Sequence, residues 1–363
     1  MIRPFILICF TFLFFNPVFS QLINPEINEN SKEVYPYRLP IWGQKAVDKG
    51  YGDQLQLPLG FNLNYINAFI DMEITAFELK LGDTDLTGII NPETLNFKEV
   101  SATTNGVNFR ADAWILPFLN VYALFSKVAG GTNVVLEPTW RDADGDIILQ
   151  LPEFKADVNF DAVAYGVGSS LVFGVDNYFL NSDINYSATA TELLEENVGF
   201  LTLSARAGYK FDLRSKTNDR FIAAYVGMMY RDFVGAKGSN GSIQFNEVFP
   251  NIDNVFNDKV DTKIAENEAE IENLNPILDA SEIVKLKAQN QFLTSLQNRI
   301  NDNEVFSTNV NYFIKKDLIQ TSTFQFGFNF QINKQWMLRG EYGVSASQRF
   351  LLTGLQYRFG ISK

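Results

Sequence analysis

The 363-residue chain contains no histidine and only one cysteine, Cys9. Histidine is the side chain that most often performs general acid–base catalysis, so its absence excludes histidine-dependent hydrolases and proteases. A single cysteine cannot form a disulfide within the chain, which excludes a disulfide-stapled secreted domain. Composition leaves carboxylate-only and Ser–Lys chemistry open, but no constellation of residues in the sequence supports either. The sequence therefore predicts a protein that is not an enzyme and that holds no cofactor.

The first twenty residues have the pattern of a secretory signal peptide. Arg3 gives a short positive start, Phe5 to Phe15 is an almost wholly apolar run, and Val18-Phe19-Ser20 resembles a cleavage site. The run is too short for a good membrane-spanning helix. Because Cys9 lies inside it, the exported chain would carry no thiol nucleophile. Residues 1–20 are therefore expected to be removed as the protein leaves the cytoplasm.

Beyond this leader the chain has no run of about 18 apolar residues, although 46% of it is hydrophobic and 33 residues are Phe. Lipid cannot satisfy the hydrogen-bonding groups at an open sheet edge. A membrane protein without spanning helices therefore has to be a closed β-barrel. The formal net charge of −12 argues against nucleic acid as a partner.

Residues 321–360 alternate between apolar and polar side chains with the period of a β-strand. In the first strand-length run, Phe324, Phe326 and Phe328 share one face, and Gln325 and Asn329 share the other. A soluble sandwich would turn the apolar face inward, whereas a membrane barrel turns it toward lipid. Together with the leader, this pattern favours the membrane barrel.

We predict an all-β, antiparallel transmembrane β-barrel of ten strands, an even number as in bacterial single-chain barrels. The runs lie near residues 68–81, 105–116, 119–136, 160–174, 178–188, 199–211, 220–231, 321–332, 335–344 and 348–359. Twelve strands are the alternative, because Leu57 to Tyr65 also alternates. Short links fall at one end and long links at the other, as periplasmic turns and extracellular loops do.

The segment 255–303 interrupts the strand pattern with helical spacing. Asn275-Pro276 separates two apolar stretches, and Asp279 with Glu282 predicts a capping box for the second helix. We expect a helical hairpin that is a packed extracellular cap, a lumen plug or a partner-binding arm. The predicted organisation is a signal peptide at 1–20, an N-terminal segment at 21–66 that is periplasmic or inside the barrel, and a barrel at 67–363 that carries this insertion.

The polar faces of the predicted strands carry charged residues. A charge at mid-depth on a lipid face costs about 2–4 kcal/mol, so these side chains are expected to point into the lumen. The candidate lumen-lining residues are Arg110, Asp112, Arg206, Lys210, Gln325, Asn329, Arg339, Glu341 and Arg358. Two interpretations stay open: a salt-bridge network that fills a narrow barrel, or a charged constriction that selects solutes by size and sign.

An acidic turn is the one stretch with metal-like spacing. Asp142, Asp144 and Asp146 alternate around Gly145, and their carboxylates could supply oxygen ligands to calcium. The order of residues departs from an EF-hand loop, so a solvated turn is the simpler interpretation. The sequence predicts no metal site and leaves these three aspartates as a weak candidate.

Three segments carry a recognisable family pattern. They are Asn108 to Tyr122, with the spacing Trp-x-x-Pro-Phe-x-Asn-x-Tyr, then Asn218 to Gly227, and the closing stretch Leu338 to Phe359. They resemble a group of Gram-negative outer-membrane β-barrel proteins whose functions are mostly unassigned. The resemblance covers most of residues 36–360. It implies an integral outer-membrane location, with outer-membrane lipid as the surrounding partner.

The resemblance also implies recognition by the barrel-assembly machinery. In such proteins the assembly signal is a terminal aromatic residue preceded by alternating apolar residues. Leu355, Tyr357 and Phe359 fit this signal, although Gly360 to Lys363 follow them here.

The polar alternate face leads us to predict a small passive channel or transporter for small solutes. The alternative is a structural or interaction protein whose closed barrel displays acidic extracellular loops and the helical hairpin. The sequence identifies no protein partner.

Overall fold

The computed structural model describes residues 34–82, 84–191, 197–213, 219–234 and 238–363. The predicted signal peptide lies outside the described residues. In chain order the strands are β1 (Leu59–Leu81), β2 (Thr84–Asp85), β3 (Phe97–Leu116), β4 (Leu119–Leu136), β5 (Thr139–Arg141), β6 (Ile147–Gln150), β7 (Phe154–Val175), β8 (Tyr178–Thr191), β9 (Val198–Asp212), β10 (Phe221–Val234), β11 (Gly238–Ile243), β12 (Val310–Leu318), β13 (Ser322–Gln331), β14 (Trp336–Val344) and β15 (Gln348–Phe359). The helices are α1 (Gly43–Asp48), α2 (Pro92–Leu95), α3 (Phe245–Val248), α4 (Ile252–Asn273) and α5 (Ala280–Asp302). Within these described ranges, no helix is both long and apolar enough to cross a membrane.

Ten of the strands close into an antiparallel barrel. Their order is β1, β15, β14, β13, β10, β9, β8, β7, β4 and β3, and β3 pairs again with β1. Tight links at 117–118, 176–177 and 332–335 lie at one end, which we name the turn end, and the long links lie at the opposite cap end. The predicted ten-stranded barrel is confirmed.

The first strand is longer than predicted. β1 begins at Leu59, so the alternating stretch Leu57 to Tyr65 leads into this strand and the twelve-strand alternative is wrong. The predicted domain boundary at residue 66 also falls inside β1. Ile66 and Ile70 face the lumen while Phe69 faces outward, so apolar side chains occupy both faces here. The alternation therefore stops in the middle of a continuous strand.

β1 changes its partner along its length. Residues 59–70 pair with β15, and residues 72–80 pair mainly with β12, which in turn pairs with β11. β1, β3 and β7 have 23, 20 and 22 residues, whereas β14 has 9. A strand needs only about 9–11 residues to cross a membrane. The long strands therefore extend the barrel wall beyond the membrane and support the long links at the cap end.

The two faces of the barrel wall differ as the alternation predicted. Phe324, Phe326 and Phe328 are about half exposed on the outer surface, and so are Phe61 and Leu63 of β1. Gln325, between two of these phenylalanines, is 0% exposed and points into the barrel. The outer surface is thus apolar and the inner surface carries the polar groups.

The long links at the cap end pack together into a hydrophobic core, which we name the cap. Phe256 and Val260 of α4 and Leu293 of α5 are fully buried, and the Phe256 ring centroid lies 5.8 Å from that of Trp140. The predicted helical hairpin is confirmed, with Asn275-Pro276 in the turn between α4 and α5. Its base is packed into the cap, as the first of the three predicted roles requires.

The predicted capping box of the second helix is wrong. Asp279 does occupy the N-cap position of α5, but its side chain makes no capping hydrogen bond to that helix. Its Oδ2 instead accepts a hydrogen bond of 2.9 Å from the backbone N–H of Asn275. The carboxylate of Asp279 thus accepts from the backbone of the turn between the helices and not from the first backbone N–H groups of α5.

The N-terminal segment lies against the turn end. The backbone N–H of Ile41 donates to the carbonyl of Ile115 (2.9 Å), at the end of β3. Further along, Gln56 Nε2 donates to Gln331 Oε1 (3.3 Å), and the Leu57 carbonyl accepts from Arg358 Nε (2.9 Å). The last residues before β1 therefore reach inward-facing side chains at the mouth of the barrel.

Candidate functional site: the barrel interior

Glu341 of β14 is the centre of one polar network, which we name the Glu341 network. This carboxylate is 3% exposed and accepts hydrogen bonds from four side chains. Arg339 Nη2 lies 2.5 Å away and Tyr225 OH 2.7 Å away. Gln325 Nε2 donates at 3.1 Å and Arg206 Nη2 at 3.2 Å. Because buried charges are tolerated only when they are paired and hydrogen-bonded, this dense set of donors is what allows a carboxylate inside the barrel.

The Glu341 network extends across two further strands through Arg206. Its Nη1 forms an ion pair with Asp183 of β8, and Asp183 accepts a hydrogen bond from Ser170 of β7. One arginine thus joins carboxylates on β8 and β14, which are not neighbours in the barrel.

Asp112 of β3 is the centre of a second network, which we name the Asp112 network. Arg358 Nη2 donates to Asp112 Oδ1 at 2.8 Å, and both side chains are almost fully buried. Asn62 Nδ2 (2.8 Å) and Asn120 Nδ2 (2.7 Å) also donate to this carboxylate. Arg110 joins through Asn120, whose Oδ1 accepts from Arg110 Nη2 at 2.9 Å.

The two networks together reach every strand of the barrel. The Glu341 network uses β7, β8, β9, β10, β13 and β14, and the Asp112 network uses β15, β1, β3 and β4. We name the combined layer the polar belt. It fills the barrel interior on the turn-end side with buried, mutually bonded side chains.

Two glycines make room for the tyrosines of the belt. A Cβ on Gly168 would lie 2.5 Å from Cζ of Tyr122, and a Cβ on Gly327 would lie 2.6 Å from the hydroxyl of Tyr225. The Tyr122 ring lies flat against Arg110, whose guanidinium carbon is 3.6 Å from the ring centroid. Glycine in a strand interior here permits a large ring from a neighbouring strand to lie against the backbone.

A cavity of about 980 Å³ lies between the polar belt and the cap. Residues from all ten barrel strands line it, so it is inside the barrel. Its floor contains belt side chains such as Arg206 and Glu341. Its walls are mostly apolar, with Ile66, Leu124 and Phe160 among the lining residues.

Most of the predicted lumen-lining residues come together in the belt. Arg110, Asp112, Arg206, Gln325, Arg339, Glu341 and Arg358 are all members of the two networks. Asn329 lies on the same inner face, with its Oδ1 buried and without a hydrogen-bond partner among the described residues. Lys210 lies apart, near the turn end, where its Nζ is 3.0 Å from Asp212 Oδ1.

Sequence reasoning missed several inward-facing residues. In β8 the polar Asp183 and the apolar Ile184 point to opposite faces, so the alternation of this strand could have placed Asp183 on the inner face. Tyr122 and Tyr225 were overlooked because aromatic residues in a barrel are expected at the membrane interface. Arg231 and Lys316, which also line the cavity, lie near the ends of their strands where alternation is weak.

The acidic turn between β5 and β6 is not arranged around a cation. Asp142 Oδ1 accepts hydrogen bonds from the backbone N–H groups of Asp144 (3.1 Å) and Asp146 (2.8 Å). Lys285 of α5 lies 2.9 Å from Asp146 Oδ2, and this hydrogen bond lowers the pKa of Asp146. The described residues contain no group of three carboxylates placed to hold a metal ion. The turn thus contacts the helical hairpin through Lys285, and the weak calcium candidate stays a prediction.

No family model and no curated protein matches the chain. Among solved structures, the β domain of the Bordetella autotransporter Brka is similar at 9% identity and a TM-score of 0.36, covering 83% of this chain and 100% of its own. The outer membrane protein OprG from Pseudomonas aeruginosa has 9% identity and a TM-score of 0.34, covering 85% of this chain and 99% of its own. The outer membrane protease OmpT from Escherichia coli has 9% identity and a TM-score of 0.35, covering 83% of this chain and 97% of its own.

The surfaces of the barrel show which solvent surrounds it. Apolar side chains such as Phe326 and Phe109 are exposed on the outer face, while ion pairs such as Arg358–Asp112 are buried inside. A water-soluble barrel would have the opposite arrangement, and a closed ring of strands leaves no edge unpaired in lipid. The chain is an integral outer-membrane β-barrel protein of ten antiparallel strands.

Proposed function

We propose that this outer-membrane barrel is a transporter for small solutes, which bind in the cavity between the polar belt and the cap. The observation that supports this proposal is the cavity of about 980 Å³ inside the barrel wall. Ligand sites in proteins commonly measure about 300–1,000 Å³, so the space suits a small molecule. The proposal contains no catalytic step, because each carboxylate of the belt is already engaged by an arginine.

In this proposal the polar belt is the gate. Its side chains are buried and bonded across the barrel, so a solute passes only when they move aside. Gln331 and Arg358 contact the N-terminal segment at Gln56 and Leu57, which couples the mouth of the barrel to that segment. The barrel-assembly machinery remains the predicted route of insertion.

Tyr122→Ala is the test of the gate. The Tyr122 ring is buried in the belt and covers Arg110, so its removal opens space between the cavity and the turn end. We expect the wild-type barrel in planar bilayers to show small, infrequent conductance steps, and Tyr122→Ala to raise the mean conductance severalfold.

The matched control is Tyr165→Ala, because Tyr165 is half exposed on the outer face and does not line the cavity. It should leave conductance unchanged. Equal conductance of wild type and Tyr122→Ala, with both proteins folded, would contradict the proposed gate.

A second candidate function is supported by the tip of the helical hairpin. Ile277 and Leu278 are 86% and 82% exposed there, far from the buried base of α4 and α5. Exposed apolar residues at the end of a long hairpin suit the display role considered from the sequence.

Shortening the hairpin separates the two candidate functions. Replacing residues 272–282 by a short turn removes Ile277 and Leu278 and keeps the hydrogen bond between Asn267 and Asn290 (2.7 Å), the contact of Lys285 with Asp146 and the packed base. If the hairpin only caps the barrel, the variant should keep its melting temperature and its conductance. If the tip binds another protein, the shortened barrel should lose a partner that cross-links to the full-length chain on whole cells.

A further inference from the structure

The cavity carries an excess of positive charge although the chain as a whole has a net charge of −12. The charged residues that line it, among those described, are Arg110, Arg206, Arg231, Lys316 and Arg339, and Asp183, Glu247 and Glu341. Five cations against three carboxylates leave the cavity with a formal charge of about +2. Arg206 and Arg339 are neutralised by the Glu341 network.

The other three cations that line the cavity differ from Arg206 and Arg339 in their partners. Arg110, Arg231 and Lys316 form no ion pair with any of the described residues. Arg110 donates one hydrogen bond, to Asn120, and its Nε is buried without a partner. We name these three residues the open cations.

The side chains of Arg231 and Lys316 have weaker hydrogen-bonding partners than that of Arg110. Arg231 Nη2 donates a long hydrogen bond of 3.9 Å to the thioether sulfur of Met229. The Lys316 ammonium group makes no hydrogen bond to another described residue, and the side chain faces the cavity where its backbone pairs with Ile74. A partly buried cation without a counter-ion is costly, so these groups are placed to gain from an anion that enters the cavity.

The walls between the open cations are apolar. Ile66, Ile70, Leu124, Phe160 and Leu352 line the cavity and provide a surface for a hydrocarbon or aromatic body. Burial of such a body contributes about 25 cal/mol per Å² of apolar surface. The cavity can thus hold a molecule that has both an anionic group and an apolar body.

Arg110 pairs with Asn62 and Lys316 with Ile74, twelve residues apart on β1, so the open cations lie at different levels of the cavity. We propose that the solute of this barrel is an amphipathic anion, whose apolar body lies against the cavity walls and whose acidic headgroup binds one of the open cations. The inference rests on the proposed function, since it names the class of solute. It concerns equilibrium binding, however, and can fail or succeed independently of any measurement of flux.

The experiment uses two dyes that share an N-phenylnaphthylamine scaffold. The anionic dye is 8-anilinonaphthalene-1-sulfonate, and the neutral dye, N-phenyl-1-naphthylamine, lacks the sulfonate. Fluorescence titrations are made with the full-length barrel in lipid nanodiscs, and the signal of empty nanodiscs is subtracted. Three cavity variants each remove one positive charge: Arg110→Gln, Arg231→Gln and Lys316→Gln. The matched control is Lys259→Gln, on the exposed face of α4. Retention of the folded, heat-modifiable band in electrophoresis shows that each barrel has assembled.

Charge-assisted hydrogen bonds are strong enough that we expect at least one of the three cavity variants to weaken binding of the sulfonate about tenfold or more. The same variant should bind the neutral dye as the wild type does, and Lys259→Gln should bind both dyes unchanged. Unchanged sulfonate binding in all three folded cavity variants would overturn the inference, and so would an equal loss of both dyes. Selective sulfonate binding by a barrel in which Tyr122→Ala raises no conductance would leave this inference standing and remove the proposed gate.

Discussion

Glu341→Gln is expected to lower the free energy of unfolding by about 3–5 kcal/mol. The substitution keeps the shape of the side chain, removes its charge and replaces one acceptor oxygen by an NH2 donor, which faces the donors that Glu341 binds. Arg339 then has no ion-pair partner, and Arg206 keeps only Asp183. Removing one partner of a buried ion pair leaves an uncompensated charge in a low-dielectric interior, which is why the effect exceeds that of an exposed pair. The measurement is urea unfolding of the barrel in phospholipid vesicles, followed by tryptophan fluorescence.

Two further variants show whether the loss comes from the buried network. Glu153→Gln makes the same change at an exposed carboxylate and should alter stability by less than about 0.5 kcal/mol. The double variant Glu341→Gln with Arg339→Gln removes both charges of the shorter of the two ion pairs that Glu341 forms, and it should recover part of the loss. If Glu341→Gln unfolds at the same urea concentration as the wild type, the Glu341 network does not hold the strands together.

Phe326→Arg is expected to lower the free energy of unfolding by about 2–4 kcal/mol. Phe326 lies in the middle of β13, is 45% exposed on the outer face and contacts Tyr342, with ring centroids 5.4 Å apart. An arginine at this position places a charge near the centre of the lipid layer and also removes an aromatic contact. The same urea titration measures the effect, and the amount of folded barrel in isolated outer membranes should fall with it.

Phe292→Arg is the matched control for this prediction. Phe292 lies on the exposed side of α5 and is 40% exposed, close to the value for Phe326, but it lies in the cap. The control should change stability little, because arginine in water carries no desolvation cost. Equal effects of the two substitutions would show that the outer face of β13 does not contact lipid.

The barrel itself was largely predictable from local patterns. Phe324, Phe326 and Phe328 alternate with polar residues over one strand, and the period of two directly specifies which side chains share a face. The helical hairpin was equally predictable from the sequence, since the spacing of its apolar residues differs from that of the neighbouring strands. The start of β1 was missed because Ile66 and Phe69 are apolar on opposite faces, where the lumen changes from polar to apolar.

The contents of the lumen were only partly predictable. The parity of each strand placed Arg110, Arg206 and Glu341 on the inner face, but parity does not show which strands face each other across the barrel. The contact between Arg206 and Glu341 depends on the closure of ten strands and joins residues 135 positions apart. The parity of β8 could also have placed Asp183, the other partner of Arg206, on the inner face, but it could not have shown the contact between the two side chains.

The sequence by itself determined the transmembrane barrel, the inserted hairpin and the inward direction of most charges, because each of these follows from side-chain periodicity within one segment. Only the tertiary structure decided that the strands number ten, that the belt is closed, that a cavity lies above it, and that Arg110, Arg231 and Lys316 have no carboxylate partner among the residues that the structure describes. Pairing across a barrel is set by the shear and closure of the whole sheet, which no single strand encodes.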